Sequence, residues 1–408
     1  MIYKLLHTLL ARFISLFVFW IPEVVERKKF ELKNKKDVGA QSFKQQGIRA
    51  DFCFEFSSEG EFAQINSLVE DALALGKKIE LVMFSPSVEK QVLALYEKHP
   101  EQIRYLRYPL LTYSCFSQAL CFTNWVTSKT LYLVRYDFFP EFLFWSRRPG
   151  HFLKLLWLSF KKTRLQNKKL SKLKIKFLQA SSLNVFATQE DLDFVKPLGF
   201  SGIIYDFRME QIHRRKLNRQ TKFSQHFANH SQLLNHLRQS PQQLIFGNAW
   251  LSDLHLLEKL PDACSVLIVP HQLDQKNLTS FQVELEKLGL DSQLVDQNTT
   301  HFQAPVLILN MKGVLCELYA DFTHAYVGGG FGASIHSVLE PLITGSAHIS
   351  CGPVNNRSTE FDIAKSHHRL SEVLSPSEFN TWLKRFDSQA LVFDSSQYLF
   401  YRKEVIGC

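Results

Sequence analysis

Short apolar runs alternate with helix-like stretches along most of the chain, and the alternation occurs twice. Asp51–Phe56, Ile79–Phe84, Ile103–Tyr108, Thr130–Arg135 and Leu183–Ala187 read as strands, with helical patterns such as Glu61–Gly76 and Pro86–His99 between them. Strands that alternate with helices form a parallel sheet covered on both faces. The stretch Leu217–Ser240 is polar and rich in Gln, Asn, His and Arg, and it reads as the crossing between halves. Strand patterns resume at Gln243–Phe246, Ser265–Val269, Val306–Leu309, His324–Val327 and Ala347–Ser350. At 408 residues the chain is too long for one ordinary core. The expectation is therefore an α/β protein of two doubly wound, Rossmann-like domains, 37–215 and 216–408, with a ligand cleft between them.

Residues 1–36 differ in kind. Leu5–Pro22 is apolar except for His7, Thr8, Arg12 and Ser15, and is about the minimum length for crossing a bilayer. Arg12 near its middle is costly for a spanning helix. Arg27, Lys28, Lys29, Lys33, Lys35 and Lys36 follow, where they would attract anionic headgroups and hold the body in the cytoplasm. The segment reads as a membrane anchor, spanning or interfacial; a buried first helix is the other reading. A second basic stretch, Lys154–Lys176, interleaves Lys and Arg with Leu155, Leu156, Trp157, Leu158 and Phe160. It is either a membrane- or phosphate-facing surface or an exposed basic helix.

Composition narrows the function. Hydrophobic residues make up 45% and charged residues 21%, which suits a globular chain, and the 35 Phe suit a large core with some lipid-facing surface. A net charge of +9 favours a polyanionic partner. Nucleic acid is disfavoured, because the basic residues cluster with apolar ones rather than on a reading helix. The seven cysteines, Cys53, Cys115, Cys121, Cys264, Cys316, Cys351 and Cys408, form no CxxC pair. They read as reduced, mostly buried thiols, with no metal site.

The richest segment runs from Val327 through Gly328, Gly329, Gly330, Phe331, Gly332, His336, Ser337, Val338, Leu339 and Glu340 to Pro341. It follows an apolar strand and precedes a helix-like run starting near Ile335. Glycines let backbone approach a ligand closely, and a helix N-terminus offers N–H groups and a favourable dipole to phosphate. Glu340, one turn into that helix, can accept hydrogen bonds from ribose hydroxyls. This is the pattern of a nucleotide-sugar pocket.

The same segment resembles the signature of the Kdo (3-deoxy-D-manno-octulosonic acid) transferases, glycosyltransferases of the GT-B fold, which read VGG, a short linker, then HN, one residue and LEP. Ser337 stands where the family has Asn. Cys351-Gly352-Pro353 and Glu360 are similar to the family's GP…NF.E stretch, with Arg357-Ser358 in place of Asn-Phe. Ser58-Glu59-Gly60-Glu61 resembles S-V-G-E, and Asp137-Phe138-Phe139-Pro140 resembles E-L-W-P. Asp206-Phe207-Arg208 is similar to the stretch that carries a cationic residue. His271 and Gln272 follow Pro270 where the family has Arg and His, and Lys312-Gly313-Val314 stands for Met-Gly-Glu. Arg135 occupies another position where Glu is expected.

The resemblance implies a membrane-associated, inverting transferase that moves Kdo from CMP-Kdo to a lipid A precursor at the cytoplasmic face of the inner membrane, with no metal or other cofactor. It makes Glu61 the general base, Asp137 a positioning or charge-balancing carboxylate, and Arg208 a cation stabilising the departing phosphate. His271, Gln272, Lys312, Gly313, Val314, Gly329–Gly332 and His336–Glu340 would line the donor site, and Ser58 and Gly60 the acceptor site. From the residues alone Glu61 is equally a helix cap. As a base, it is expected to be held ionised by the helix dipole. The departures at Arg135, His271, Gln272 and Val314 leave two further readings: a GT-B enzyme using another nucleotide sugar, and a non-catalytic relative binding at the membrane surface.

Overall fold

A computed structural model describes residues 2–17, 20–112, 121–135, 137–160, 170–332, 335–353, 359–367, 369–385 and 391–407. The chain forms two compact units, Met1–Arg208 with Ser396–Cys408, and Met209–Ser395.

The first unit is built on strands β1 (Phe52–Phe56), β2 (Ile79–Met83), β3 (Ile103–Arg107), β4 (Thr130–Val134), β5 (Phe152–Leu158), β6 (Ser181–Phe186) and β7 (Ile203–Ile204). They lie in the order β3-β2-β1-β4-β5-β6-β7, with every pair parallel. β2 is buried along its whole length, as a strand covered on both faces must be. Helices follow the strands and are capped at once: Ser58 accepts from the N–H of Glu61, and Thr188 from that of Asp191. Leu131, Leu133, Phe142, Trp145, Leu155, Phe177 and Phe186 form the core on one face.

The basic stretch 154–176 proves composite. Its start belongs to β5, where Leu153, Leu155, Leu156, Trp157 and Leu158 are all buried. Lys154 reaches the Glu404 carbonyl at 3.2 Å. The helix Lys172–Ala180, capped by Ser171, carries Lys172, Lys174 and Lys176. Residues 161–169, which hold most of the charge, lie outside the described residues.

The N-terminal helix Ile2–Ser15 has 14 residues, about 21 Å at helical rise, against about 30 Å of bilayer core. Among the described residues no helix is long and apolar enough to cross a membrane. Leu5, Leu6, Leu9, Leu10, Phe13, Leu16, Phe17 and Trp20 are nevertheless exposed. The next helix, Pro22–Leu32, packs into the first unit: buried Glu31 accepts from the N–H groups of Leu110, Leu111 and Thr112 at 2.8–3.1 Å. Arg27, expected to face lipid headgroups, instead pairs with Glu31 at 2.6 Å, stacks over Phe84 and donates to the Phe84 and Tyr108 carbonyls. Lys29, Lys33, Lys35 and Lys36 stay exposed.

The second unit contains β8 (Gln242–Ala249), β9 (Cys264–Pro270), β10 (Ser292–Val295), β11 (Val306–Leu309), β12 (His324–Val327), β13 (His348–Cys351) and β14 (Leu370–Glu372), all parallel, in the order β10-β11-β9-β8-β12-β13-β14. Leu217–Ser240, read as a crossing, holds the helices Arg219–His226 and His230–Leu237; Phe223, Leu233 and Leu237 from these helices, and Phe227 between them, enter this unit's core.

The division at 208/209 precedes the expected 215/216 boundary because the helix Arg208–Leu217 runs unbroken through the latter. The last helix, Ser396–Ile406, returns to the first unit. Tyr398 donates to Asp71 at 2.7 Å, Arg402 pairs with Asp71 at 2.9 Å, and Tyr132 donates to the Val405 carbonyl at 2.7 Å. Cys53, Cys121, Cys264, Cys316 and Cys351 are free and buried; Cys115 and Cys408 lie outside the described residues.

Candidate functional site

Both sheets reverse strand order beside their first strand, and ligands of such sheets bind outside the carboxyl ends of strands at that reversal. In the first unit the reversal lies between β1 and β4. Ser57, Ser58 and Glu61 follow β1, and Arg135 and Asp137 follow β4. Glu61 is 6% exposed. Its carboxylate accepts the Ser57 N–H at 2.6 Å, while its own N–H is capped by Ser58 at 3.3 Å. The Ser57 hydroxyl donates to Asp137. Glu55, in β1, is fully buried, and its oxygens lack a hydrogen bond of normal geometry.

Burial dominates the electrostatics of these three carboxyls. It pushes Glu61 up to about 7, with Asp137 adding to the rise and the Ser57 N–H and Arg135 opposing it. Burial also raises Asp137. Glu55 is driven well above the carboxylate range by burial, then by Asp137 and Glu61. The expected dipole-held carboxylate is thus corrected: desolvation outweighs the helix start, and Glu61 is poised to exchange a proton near neutrality. Burial alone does not mark function. Glu80, fully buried and holding Thr127 and Ser128 by their N–H groups, also rises to about 7.

Beside the carboxyls, Trp157 of β5 lies against two guanidinium groups, Arg135 at 4.5 Å and Arg208 at 4.7 Å from its ring centre. Asp206 holds Arg208 with bonds of 2.6–3.2 Å, so part of its charge is already matched. Arg135 and Trp157 adopt φ of 72° and 53°. The third left-handed non-glycine among the described residues, Asn248 at 50°, is the last residue but one of β8 in the second unit. Such strained positions gather at ligand-binding edges.

In the second unit the reversal lies between β8 and β12, and the glycine segment leaves β12 there. Its glycines serve the protein itself first. A Cβ on Gly328 would sit 2.4 Å from the Asn248 carbonyl oxygen, and one on Gly330 2.6 Å from the Gly352 backbone. The N–H of Gly328 goes to Gly247 at 2.9 Å, that of Gly329 to Asp253 at 3.0 Å and that of Gly332 to Gly329 at 3.4 Å. Among the described residues the N–H groups of Gly330 and Phe331 meet no acceptor in the protein. Asp253 also accepts from the Trp250 N–H at 2.8 Å and the Tyr326 hydroxyl at 2.9 Å, fixing the ends of β8 and β12 together.

The helix expected near Ile335 starts at Leu339, so the loop is longer than its sequence suggested and Glu340 lies in the first turn. Arg215 reaches Glu340 at 3.3 Å and buried Glu317 at 2.9 Å, and Lys222 reaches Glu317 at 2.9 Å. Val314, Val338 and Leu339 are buried in the core, which removes their side chains from the donor-lining set. Lys312 and Gly313 form an exposed turn, with Gly313 at φ 81°. Gln272 is exposed, and Ser337 is half-buried. Phe331 packs edge-on against His255.

His271, at the end of β9, lies 4.4 Å from His336 and stacks on Trp250 at 4.7 Å, ring centre to ring centre. Trp250 carries no motif and was not legible as a site residue; it follows β8, His271 follows β9, and His336 lies in the loop after β12. Among the described residues no group of three His, Cys, Asp or Glu side chains is arranged to hold a metal.

No family model and no curated protein matches the chain. Among solved structures, UDP-GlcNAc 2-epimerase from Methanocaldococcus jannaschii is similar at a TM-score of 0.54 and 7% identity, covering 86% of this chain and 98% of its own. UDP-GlcNAc 2-epimerase from Neisseria meningitidis, bound to UDP-GlcNAc, gives 0.48 at 11% identity, with 87% and 94% covered. The C-terminal CMP-Kdo binding domain of WaaA from Acinetobacter baumannii gives 0.31 at 15% identity, covering 43% of this chain and 93% of that domain. The likeness to the Methanocaldococcus enzyme is one of fold: two parallel-sheet α/β units of the GT-B type.

Proposed function

We propose that this protein is a nucleotide-sugar-dependent glycosyltransferase that transfers Kdo from CMP-Kdo to a lipid A precursor at the cytoplasmic face of the inner membrane. The observation that carries the reading is Glu61: a buried carboxyl at the sheet reversal, raised to about 7, beside Asp137 and Arg135. An acceptor hydroxyl loses its proton only as attack proceeds, and a base near neutrality is best matched to take it. In the reaction the acceptor oxygen bonds to the anomeric carbon, the bond from that carbon to the phosphate oxygen breaks, CMP leaves, and Glu61 takes the proton. The second unit would bind the nucleotide, and open N–H groups there would stabilise the departing phosphate. The exposed apolar face of the N-terminal helix and the exposed lysines that follow support seating on an anionic lipid surface rather than spanning it. His271 and Gln272 in place of the Arg-His pair of the resembled family favour one alternative, a donor other than CMP-Kdo.

Glu61→Ala tests the reading. It is expected to abolish transfer while leaving nucleotide binding intact; wild-type turnover in that variant would refute the assignment.

A further inference from the structure

The imidazoles of the second unit divide into two kinds. His230 bonds to Asp321 at 3.1 Å, His236 to the Ala304 carbonyl at 2.9 Å and His324 to the Arg385 carbonyl at 2.9 Å. His271 and His336 have no such acceptor among the described residues. Their ring centres lie 4.4 Å apart, and His271, which is solvent-exposed, also stacks on Trp250. Two positive charges this close repel, and among the described residues no carboxylate is bonded to either ring to offset them. Asp253, on the turn after β8, is occupied by the Trp250 and Gly329 N–H groups and the Tyr326 hydroxyl. Glu340, on the helix after the loop, is tied to Arg215. His255 faces Phe331, and Lys312 stands exposed after β11. Burial, then His271, keeps the His336 ring below its ordinary value.

We infer that His271 and His336 form an anion subsite for the phosphodiester of the donor, and that filling it makes the imidazole pair take up one proton. The inference rests on the nucleotide-sugar reading of this unit and adds a regulation to it. A phosphodiester brings a fixed negative charge, which the unpaired rings lack. One added proton turns the pair into a cation that donates N–H bonds, and both hydrogen-bonding and charge then favour binding. Arginine at position 271 would hold its charge at every physiological pH, so affinity would not depend on proton supply. With histidine, the donor binds more tightly as the cytoplasm acidifies.

The test uses the full chain and cytidine 5′-methylphosphate, with its uridine and guanosine counterparts, because these esters remain monoanions from pH 5.5 to 8.5. Titration calorimetry at pH 7 in buffers of different ionisation enthalpy is expected to show uptake of about one proton per ligand bound, with Kd rising up to about tenfold per pH unit above neutrality. Cytidine, which lacks the phosphate, is expected to bind without proton uptake. His271→Arg is expected to bind the ester with affinity independent of pH; should that variant misfold, the wild-type proton count decides alone. Tight ester binding with no proton uptake and a flat pH profile would overturn the inference and leave the nucleotide reading standing. Absence of binding by all three esters at every pH would overturn both.

Discussion

Replacing Glu61 by Gln isolates the energetic consequence of its burial. The carboxyl moves from an ordinary value of 4.5 to about 7 in the folded protein. A rise means that the folded state holds the proton more tightly than the unfolded chain. Between the two values the folded state binds more protons, so stability falls as pH rises through this window and levels off above it. The difference of about 2.5 units corresponds to about 3 kcal/mol. The ionised side chain therefore costs the first unit about 3 kcal/mol at pH 8.5 and almost nothing at pH 4.5. Glutamine keeps the shape and one acceptor for the Ser57 N–H, but carries no charge. Glu61→Gln is expected to gain about 2–3 kcal/mol over wild type at pH 8.5 and nothing at pH 4.5. In a unit of this size that is a rise in Tm of about 4–12 °C at the alkaline end. Glu80 titrates in the same window, so the quantity to read is the difference between the two proteins at each pH, followed by scanning calorimetry. A variant destabilised equally at both pH values would show that Glu61 acts as a structural cap and is not held against its charge.

On the proposed assignment of Glu61 as base, the same titration governs the rate. Below pH 7 the rate of transfer should fall up to about tenfold per pH unit as Glu61 takes its proton, and a pH–rate profile flat from 5.5 to 8 would contradict the base assignment. Asp253→Ala strands the Trp250 and Gly329 N–H groups and the Tyr326 hydroxyl; a loss of about 3 kcal/mol in the second unit is expected by denaturant unfolding. Gly330→Ala forces a Cβ to 2.6 Å from the Gly352 backbone and should cost about 2 kcal/mol or more by the same measurement, whereas Gly60→Ala, which meets nothing, should be near neutral. Leu9→Glu with Leu10→Glu should release the protein from anionic vesicles in a sedimentation assay without changing its melting; unchanged binding would remove the membrane role of this face.

The sequence exposed the frame of this molecule better than its chemistry. β11 and β12 are read to the residue because short runs this apolar, four residues in β11 and three after His324 in β12, and buried throughout, have no competing pattern. β5 was hidden by Lys154 and by the basic run behind it, although Leu153–Leu158 is apolar around that one lysine. β10 and β14 are short edge strands with half-exposed polar residues, too weak a pattern to register. Glu61, Asp137, Arg208 and His336 were legible as candidates through motif resemblance. What decides their chemistry was not. The raised carboxyl of Glu61 depends on burial beside Glu55 and Asp137, which only the sheet assembles. Arg27 looked like a lipid contact because charge after an apolar helix usually is one, yet its partner Glu31 is four residues on and buried. The glycines pointed to a ligand cradle, while the structure shows Gly328 and Gly330 yielding space to neighbouring backbone.

Transfer itself is the most direct measurement. Purified protein is incubated with membranes containing a tetraacylated lipid A precursor and, in parallel, CMP-Kdo, UDP-GlcNAc and a GDP-sugar, and the lipid is weighed by mass spectrometry. The proposal predicts that the acceptor gains the mass of Kdo with CMP-Kdo alone, and that the gain vanishes in Glu61→Ala. An unchanged lipid with every donor, or a gain that survives loss of the Glu61 carboxylate, would contradict it.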